Sequence, residues 1–579
     1  MPTKSYLFPK NSHALALQSL VASAVQSLYA IDLPLTSIHF EHPANNEHGD
    51  WSTNLAMALA KQVGKPPKEI ASELVASIID TTLIERMEIA GPGFINFYLH
   101  NSLFKQLLLQ IDADFGRADI GSGKTIMVEF GQPNTHKAFH VGHLKSAISG
   151  LSVVKLYENL GYKVIKANFY GDIGMHVAKS TWGMLQKGVP ADFDSWDVHA
   201  RMKYIDAAYA FGAQRFSEDK EAEAAIRKIN SAIYREEDSV EVAMYETIRG
   251  WSLQHLQAAF ASLGISYDRQ YPESEIYKDA IKLVQEHVGD VFVESDGAII
   301  YDGKAEGLTT WVFLTQEGNP TYSAKDLALA YKKFAEYDIE FAIVTTSVEQ
   351  KDYFRAVISC LEKIRPDLKG RYKHVPFGWL LRNNKKTSSR MGDSIKGMDI
   401  LQEAIDLAAT KIQSGKDYSE DIKQSIAAKV GIAGLRFLIL SHEFHKDINY
   451  DPDQFISLEG FSGPYIMYAY SRARSILRQA ELASEFNNKL DSRVEQELLR
   501  LLARYPEVAM QAAEQTAPHL VCVYLYDLAQ KFNQFYKESP VLNATDENLK
   551  QSRLRLTSAA AQVLAAGLAL LGIEVVENM

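Results

Sequence analysis

One run of residues limits the fold of this chain more than any other. From Thr125 to Phe169 an apolar stretch (Thr125–Phe130) gives way to a polar loop. A helical pattern then runs from His143 to Leu160 and stops at Gly161, and a second apolar stretch follows (Tyr162–Phe169). The spacing predicts a strand–helix–strand unit, and parallel strands joined this way need helices on both faces of the sheet. Strand patterns at Val291–Tyr301 and Trp311–Thr315, a helix at Ala324–Phe334 and a strand at Phe341–Thr346 are expected to continue the alternation of a parallel sheet. Residues 180–290 between them are charge-rich and helical in pattern, so they are expected to be a helical insertion within the α/β domain.

The flanking regions read differently. The chain has 579 residues, which at about 150 residues per domain suggests three or four domains. Residues 1–115 mix helical patterns with short strands, and Ile89–Leu99 reads as a Gly-Pro turn followed by a strand. The linker-like Gly121–Lys124 opens the α/β region, expected over 122–450, and 451–579 is helical in pattern to its end. The apolar run Ala559–Val576 contains Gln562 and Glu574, which favours a packed bundle helix over a membrane span. Two cysteines, Cys360 and Cys522, exclude a disulfide framework, a zinc ribbon and a CxxC redox site. With no signal-peptide pattern at the N-terminus, a reducing, cytoplasmic setting is expected. The net charge of −11 shows no basic tail, although an RNA binder can keep its cations on one face.

Chemistry concentrates at Val128–Gly150, VEFGQPNTHKAFHVGHLKSAISG, where a strand hands over to a helix. His140, Gly142 and His143 lie at the helix start. The glycine lets a nucleotide approach the backbone, and the imidazoles and helix N-terminus offer donors to phosphate oxygens. Lys137 adds a positive charge, so the group suits attack on the α-phosphate of ATP with pyrophosphate leaving. His136, His140 and His143 have helical spacing, but no carboxylate or cysteine accompanies them and no metal site is expected. The loop Asn383–Ser394, NNKKTSSRMGDS, could grip phosphate; taken alone, a solvated basic loop is the plainer reading.

Together, HVGH and the later basic loop resemble the two signatures of class I aminoacyl-tRNA synthetases. PN-x-x-K-x-F-H-x-G-H resembles the arginyl-tRNA synthetase signature in particular. His48–Lys61 and AGPGFINFYL resemble that family's N-terminal tRNA-binding extension, and Tyr322–Lys333 its sugar- and arginine-site helix. Gly463–Arg478 and the terminal LLGIEVVENM resemble its anticodon-binding helical domain. The resemblance implies a Rossmann-type parallel-sheet catalytic domain, an α+β N-terminal extension and an all-α C-terminal domain. It implies ligation of arginine to tRNA(Arg) through an arginyl-adenylate, with Mg²⁺ carried on ATP, tRNA required before activation, and a monomer. Lys137, His140, His143, Lys386, Ser388, Ser389 and Arg390 would be catalytic. His140, Gly142, His143, Gly171, Asp172 and Met391 would bind ATP. Glu129, Asn134, Tyr322, Asp326 and Gln350 would bind arginine. Two departures stand out: Ser389 sits where the second signature lysine falls, with Lys137 as its stand-in, and the Gly171–His176 segment reads GDIGMH.

A planar guanidinium with five donors calls for carboxylates in fixed positions, which Glu129 and Asp326 would supply from two sides. Tyr322 and Asp326 are four residues apart, on one face of a helix. That pair disfavours glutamate as substrate. A lysine or glutamine enzyme, a catalytically silent paralogue and a small adenylyltransferase remain the other readings. For tRNA, aromatic and basic residues of the C-terminal region are expected to serve, with Tyr468, Arg472, Arg474 and Arg478 as candidates. An aromatic stripe at helical spacing is more often core.

Overall fold

In the computed structural model, described for residues 12–579 apart from 44, 81, 383–395, 413–418 and 484–487, the strand–helix–strand unit forms the centre of a five-stranded sheet. Its strands are ordered Tyr372–Phe377, Ala342–Ser347, Thr125–Glu129, Lys163–Tyr170, Arg269–Pro272, all parallel. Between the first two in sequence runs the helix Val141–Asn159, buried on nearly every side. One face packs on the sheet, and others meet the helices Glu420–Leu440, Tyr505–Glu514 and Glu547–Leu570, so its apolar residues form no single stripe. Its Lys145 is buried as well, and the ammonium donates to the carbonyls of Trp379 (3.4 Å) and Lys446 (3.2 Å).

Two sequence expectations are corrected here. Val291–Tyr301 and Trp311–Thr315 do not join the parallel sheet. They form a separate antiparallel meander, Val293–Ser295, Ala298–Asp302 and Thr310–Leu314. Its first turn is Asp296-Gly297, both with positive φ (49° and 79°), the two-residue hairpin that Asp-Gly favours and that splits the run in two. The strand that does extend the sheet, Arg269–Pro272, lies inside the stretch read as mostly helical, where no strand was expected; at four residues and half charged or polar, it has no alternation to betray it. The rest of that stretch is mostly helical, in Met175–Lys187, Val198–Glu218, Lys220–Tyr234, Val240–Ser262 and Glu273–Glu286.

The N-terminal residues form three helices (His13–Tyr29, Leu55–Val63, Pro67–Ser77) on a three-stranded antiparallel sheet centred on Phe94–Leu99, with Leu17, Val21, Ile70, Leu74, Ile95 and Phe97 in the core. This unit docks on the C-terminal helices. Arg500 donates to Asp50 (2.7 Å) and Asn101 (2.6 Å), and His42 meets Glu507 at 3.0 Å. The C-terminal region from Gly463 is a helical bundle closed by Glu547–Leu570, whose Leu556, Ala560, Val563, Leu564 and Leu568 are buried. Among the described residues, no helix is long and apolar enough to cross a membrane.

Candidate active site

From the central strand Thr125–Glu129 the chain adds two strands on one side, then returns to add two on the other. The order therefore reverses between Glu129 and Ser347, and a crevice opens at the carboxyl ends of those strands, the place where sheets of this kind take ligands. The helix Val141–Asn159 begins there. His140 is its N-cap: the Nδ1 atom accepts from the Gly142 N–H (3.1 Å), and the His140 N–H donates to His143 Nδ1 (3.3 Å). The two rings stack with centroids 3.5 Å apart. Since both Nδ1 atoms accept, each neutral ring carries its proton on Nε2. Burial and the neighbouring Lys137 charge push His140 down to about 4 and hold His143 well below the usual range. At neutral pH the site therefore holds two uncharged N–H donors at a helix N-terminus. The Lys137 ammonium rests 4.4 Å from the centre of the Tyr209 ring. His136 stands apart. Fully buried, with φ 62°, it bonds the Thr135 hydroxyl (2.8 Å), stacks on Tyr245 and is pushed down to about 3 by burial. Among the described residues no group of three or more His, Cys, Asp or Glu is placed to hold a metal ion.

Pro133–Thr135 runs beside Gly171. The Thr135 N–H donates to the Gly171 carbonyl (2.8 Å) and the Gly171 N–H to the Pro133 carbonyl (3.1 Å). A Cβ on Gly171 would lie 2.4 Å from Asn134 Oδ1, so glycine is what leaves room for the Asn134 amide. Asp172 lies behind this surface, 0% exposed. Its oxygens accept from Arg249 Nε (2.9 Å), the Ser274 N–H (2.9 Å) and the Ser274 hydroxyl (2.8 Å), so it ties the insertion to the start of the helix Glu273–Glu286.

Asp326, on the helix Tyr322–Glu336, lies near Glu129 and accepts from the Tyr353 hydroxyl. Burial, then the nearby Glu129 charge, push it up to about 7. Glu129 is 1% exposed and its oxygens are engaged, one by the buried Lys333 ammonium and the other by Gln132 Nε2 (3.1 Å). Tyr322 is 65% exposed at the start of its helix, and Gln350 is exposed just before the helix Lys351–Ile364. Glu273 and Lys325 form a second buried pair. Sequence reasoning missed Lys333, Tyr353, Glu273 and Lys325. Lys333 had a readable signal, because it follows Asp326 by seven residues and shares its helix face. Lys386, Ser388, Ser389, Arg390 and Met391 lie outside the described residues. The segment after them is stitched to the histidine pair: Lys396 bridges His140, and the Gly397 N–H donates to the Phe139 carbonyl (2.8 Å).

In the C-terminal bundle, an open groove of about 760 Å³ is lined by Tyr468, Arg472, Arg478, Tyr536 and Lys537. The Arg472 guanidinium lies 4.7 Å from the Tyr468 ring and 4.8 Å from that of Tyr536. Arg474 instead pairs with Glu577 (2.9 Å), and Arg478 donates to the Glu577 carbonyl (3.1 Å) and to Asn578 (2.6 Å), so both fasten the C-terminal tail. Tyr524 and Phe535 are core.

Comparison with known proteins covers the chain in three parts. Residues 15–99 match the arginyl-tRNA synthetase N-terminal domain, 105–451 the class I (R) tRNA synthetase catalytic domain, and 466–579 the DALR anticodon-binding domain. The arginine–tRNA ligase of Idiomarina loihiensis is 31% identical, covering 97% of this chain and 99% of its own. That of Clostridium kluyveri is 31% identical over 95% and 98%. Among solved structures, the Thermus thermophilus arginyl-tRNA synthetase superposes with a TM-score of 0.82 at 25% identity, over 97% of this chain and 99% of its own. The Plasmodium falciparum enzyme, at 19% identity and a TM-score of 0.80, covers 99% and 100% and shares the fold.

Proposed function

The chain belongs to the arginyl-tRNA synthetase family, whose reaction is the ATP-dependent ligation of arginine to tRNA(Arg), and from that premise we propose how its own side chains divide the work. The observation that carries the reading is the pair of stacked, neutral imidazoles with Nε2–H donors at a helix N-terminus beside the sheet's switch point. In the first step a carboxylate oxygen of arginine attacks the α-phosphorus, the bond to the bridging oxygen breaks, and pyrophosphate leaves. His140 and His143 donate to the α-phosphate oxygens without adding charge of their own, and Lys137 supplies the positive charge. Lys386, Ser388, Ser389 and Arg390 hold the pyrophosphate, and Gly142, Gly171 and Met391 flank the nucleotide. Asp172, closed in by Arg249 and Ser274, keeps Gly171 in place rather than touching ATP. Mg²⁺ arrives as part of the substrate, on the ATP phosphates with most of its water. In the second step a ribose hydroxyl at the 3′ end of tRNA attacks the adenylate's carbonyl carbon, and AMP leaves.

Asp326, close to Glu129 and held by the Tyr353 hydroxyl, takes the guanidinium. Glu129, already paired with Lys333, sets the charge around Asp326 rather than holding arginine from a second side. Tyr322 closes the mouth, with Asn134 and Gln350 at the amino and carboxylate end. Arg472, between two tyrosine rings, presents a stacking platform for an unpaired base; Tyr468 supplies one of those rings, and Arg474 and Arg478 shape the groove through the tail. The three parts divide near 1–115, 122–450 and 451–579, and the enzyme works in the cytoplasm as a monomer that activates arginine with tRNA bound. Asp326→Ala tests the assignment in aminoacylation kinetics. A rise in the arginine KM and a fall in kcat, each at least tenfold, are expected; unchanged kinetics would remove Asp326 from the site.

A further inference from the structure

The helix Val198–Glu218 belongs to the insertion, yet one of its faces meets both cations that flank the histidine pair. Asp206 and Tyr209, three residues apart, point the same way. Asp206 accepts from the Ala138 N–H (3.2 Å) and pairs with Lys396 (3.3 Å), while the Tyr209 ring lies under the Lys137 ammonium at 4.4 Å. The helix itself is fixed to the helix Met175–Lys187 by close backbone contact. A Cβ on Gly183 would fall 2.1 Å from the Ala208 carbonyl oxygen, and one on Gly212 would fall 2.1 Å from that of Lys179. Asp206 and Tyr209 are therefore held at set positions relative to the helix Met175–Lys187, which starts just after Gly171.

We propose that Tyr209 is a positioning residue for the adenylate-forming step: it holds the Lys137 ammonium over its ring, ready for the phosphates, while Asp206 anchors the same helix to Ala138 and Lys396. The choice of partner has chemical sense. A carboxylate under Lys137 would neutralise it and compete with phosphate for its protons. An aromatic face attracts the cation through its quadrupole and leaves the charge and N–H donors available. Because Ser389 occupies the second signature lysine's place, Lys137 stands in for that charge, and its placement matters accordingly.

The inference rests on the role of Lys137 given above, and ATP–pyrophosphate exchange with arginine and tRNA separates the two. Lys137→Ala should cut kcat strongly; if it does not, the role of Lys137 itself fails. Tyr209→Leu should lower kcat about fivefold, from the worth of one partly exposed cation–π contact, with the arginine KM unchanged. Tyr209→Phe, which keeps the ring, should restore most of the rate. In the Lys137→Ala background, Tyr209→Leu should cost nothing further, because the ring then has no cation to hold. A Tyr209→Leu enzyme as fast as wild type, or one whose loss persists in full without Lys137, would overturn the proposal while leaving the role of Lys137 intact.

Discussion

If arginine docks on Asp326 as proposed, its binding should depend on pH, with a sign fixed by the surroundings of that carboxyl. The carboxyl is pushed up to about 7, chiefly by burial and then by Glu129. A guanidinium brought against it favours the ionised form, so the complex holds its carboxylate well below pH 7. The protonated carboxyl offers arginine no charge, and apparent affinity falls with the fraction ionised. That fraction is about nine-tenths at pH 8 and about one-tenth at pH 6, so the arginine dissociation constant should rise about tenfold on going from pH 8 to pH 6, or ~1.4 kcal/mol. At pH 7 binding should release about half a proton. Calorimetric titration of arginine across this range, repeated in buffers of different ionisation enthalpy, reads both numbers. Asp326→Asn should flatten the profile and abolish the proton release. An affinity that is level from pH 6 to pH 8 in the wild-type enzyme, or that rises as pH falls, would refute the reasoning.

Glu129→Gln leaves the fully buried Lys333 ammonium without its counter-charge; a loss of about 3–5 kcal/mol is expected, seen as a lower thermal midpoint that adding Lys333→Met should largely restore. Gly171→Ala places a methyl against the Asn134 amide, so arginine binding should weaken while the far-ultraviolet circular dichroism stays unchanged. Arg472→Ala should weaken tRNA binding about tenfold, from the loss of one stacking platform, and leave arginine affinity untouched; filter binding and calorimetry measure the two.

The sheet's central unit and the helix carrying His140 and His143 were legible in the sequence because both periodicities were long and the glycine stop was clean. Arg269–Pro272 was not, being too short to show alternation, and the Asp-Gly hairpin at 296–297 hid inside an apolar run. At the site, sequence placed Glu129 and Asp326 together but gave them equal roles. Their difference comes from Lys333 and Tyr353, partners that reach each carboxylate through the fold, and from burial, which no spacing reports. Among the arginines, Arg472 differs from Arg474 and Arg478 because the C-terminal Glu577 and Asn578 fold back onto the latter two.

The central claim is that this crevice activates arginine, and ATP–pyrophosphate exchange tests it most directly. Purified protein would be assayed with each amino acid in turn, with and without tRNA(Arg). Exchange driven by arginine alone among the amino acids, and requiring the tRNA, is the expected result. Exchange driven by a different amino acid would contradict the assignment of Asp326, and the absence of exchange from folded, tRNA-binding protein would contradict the account of His140, His143 and Lys137.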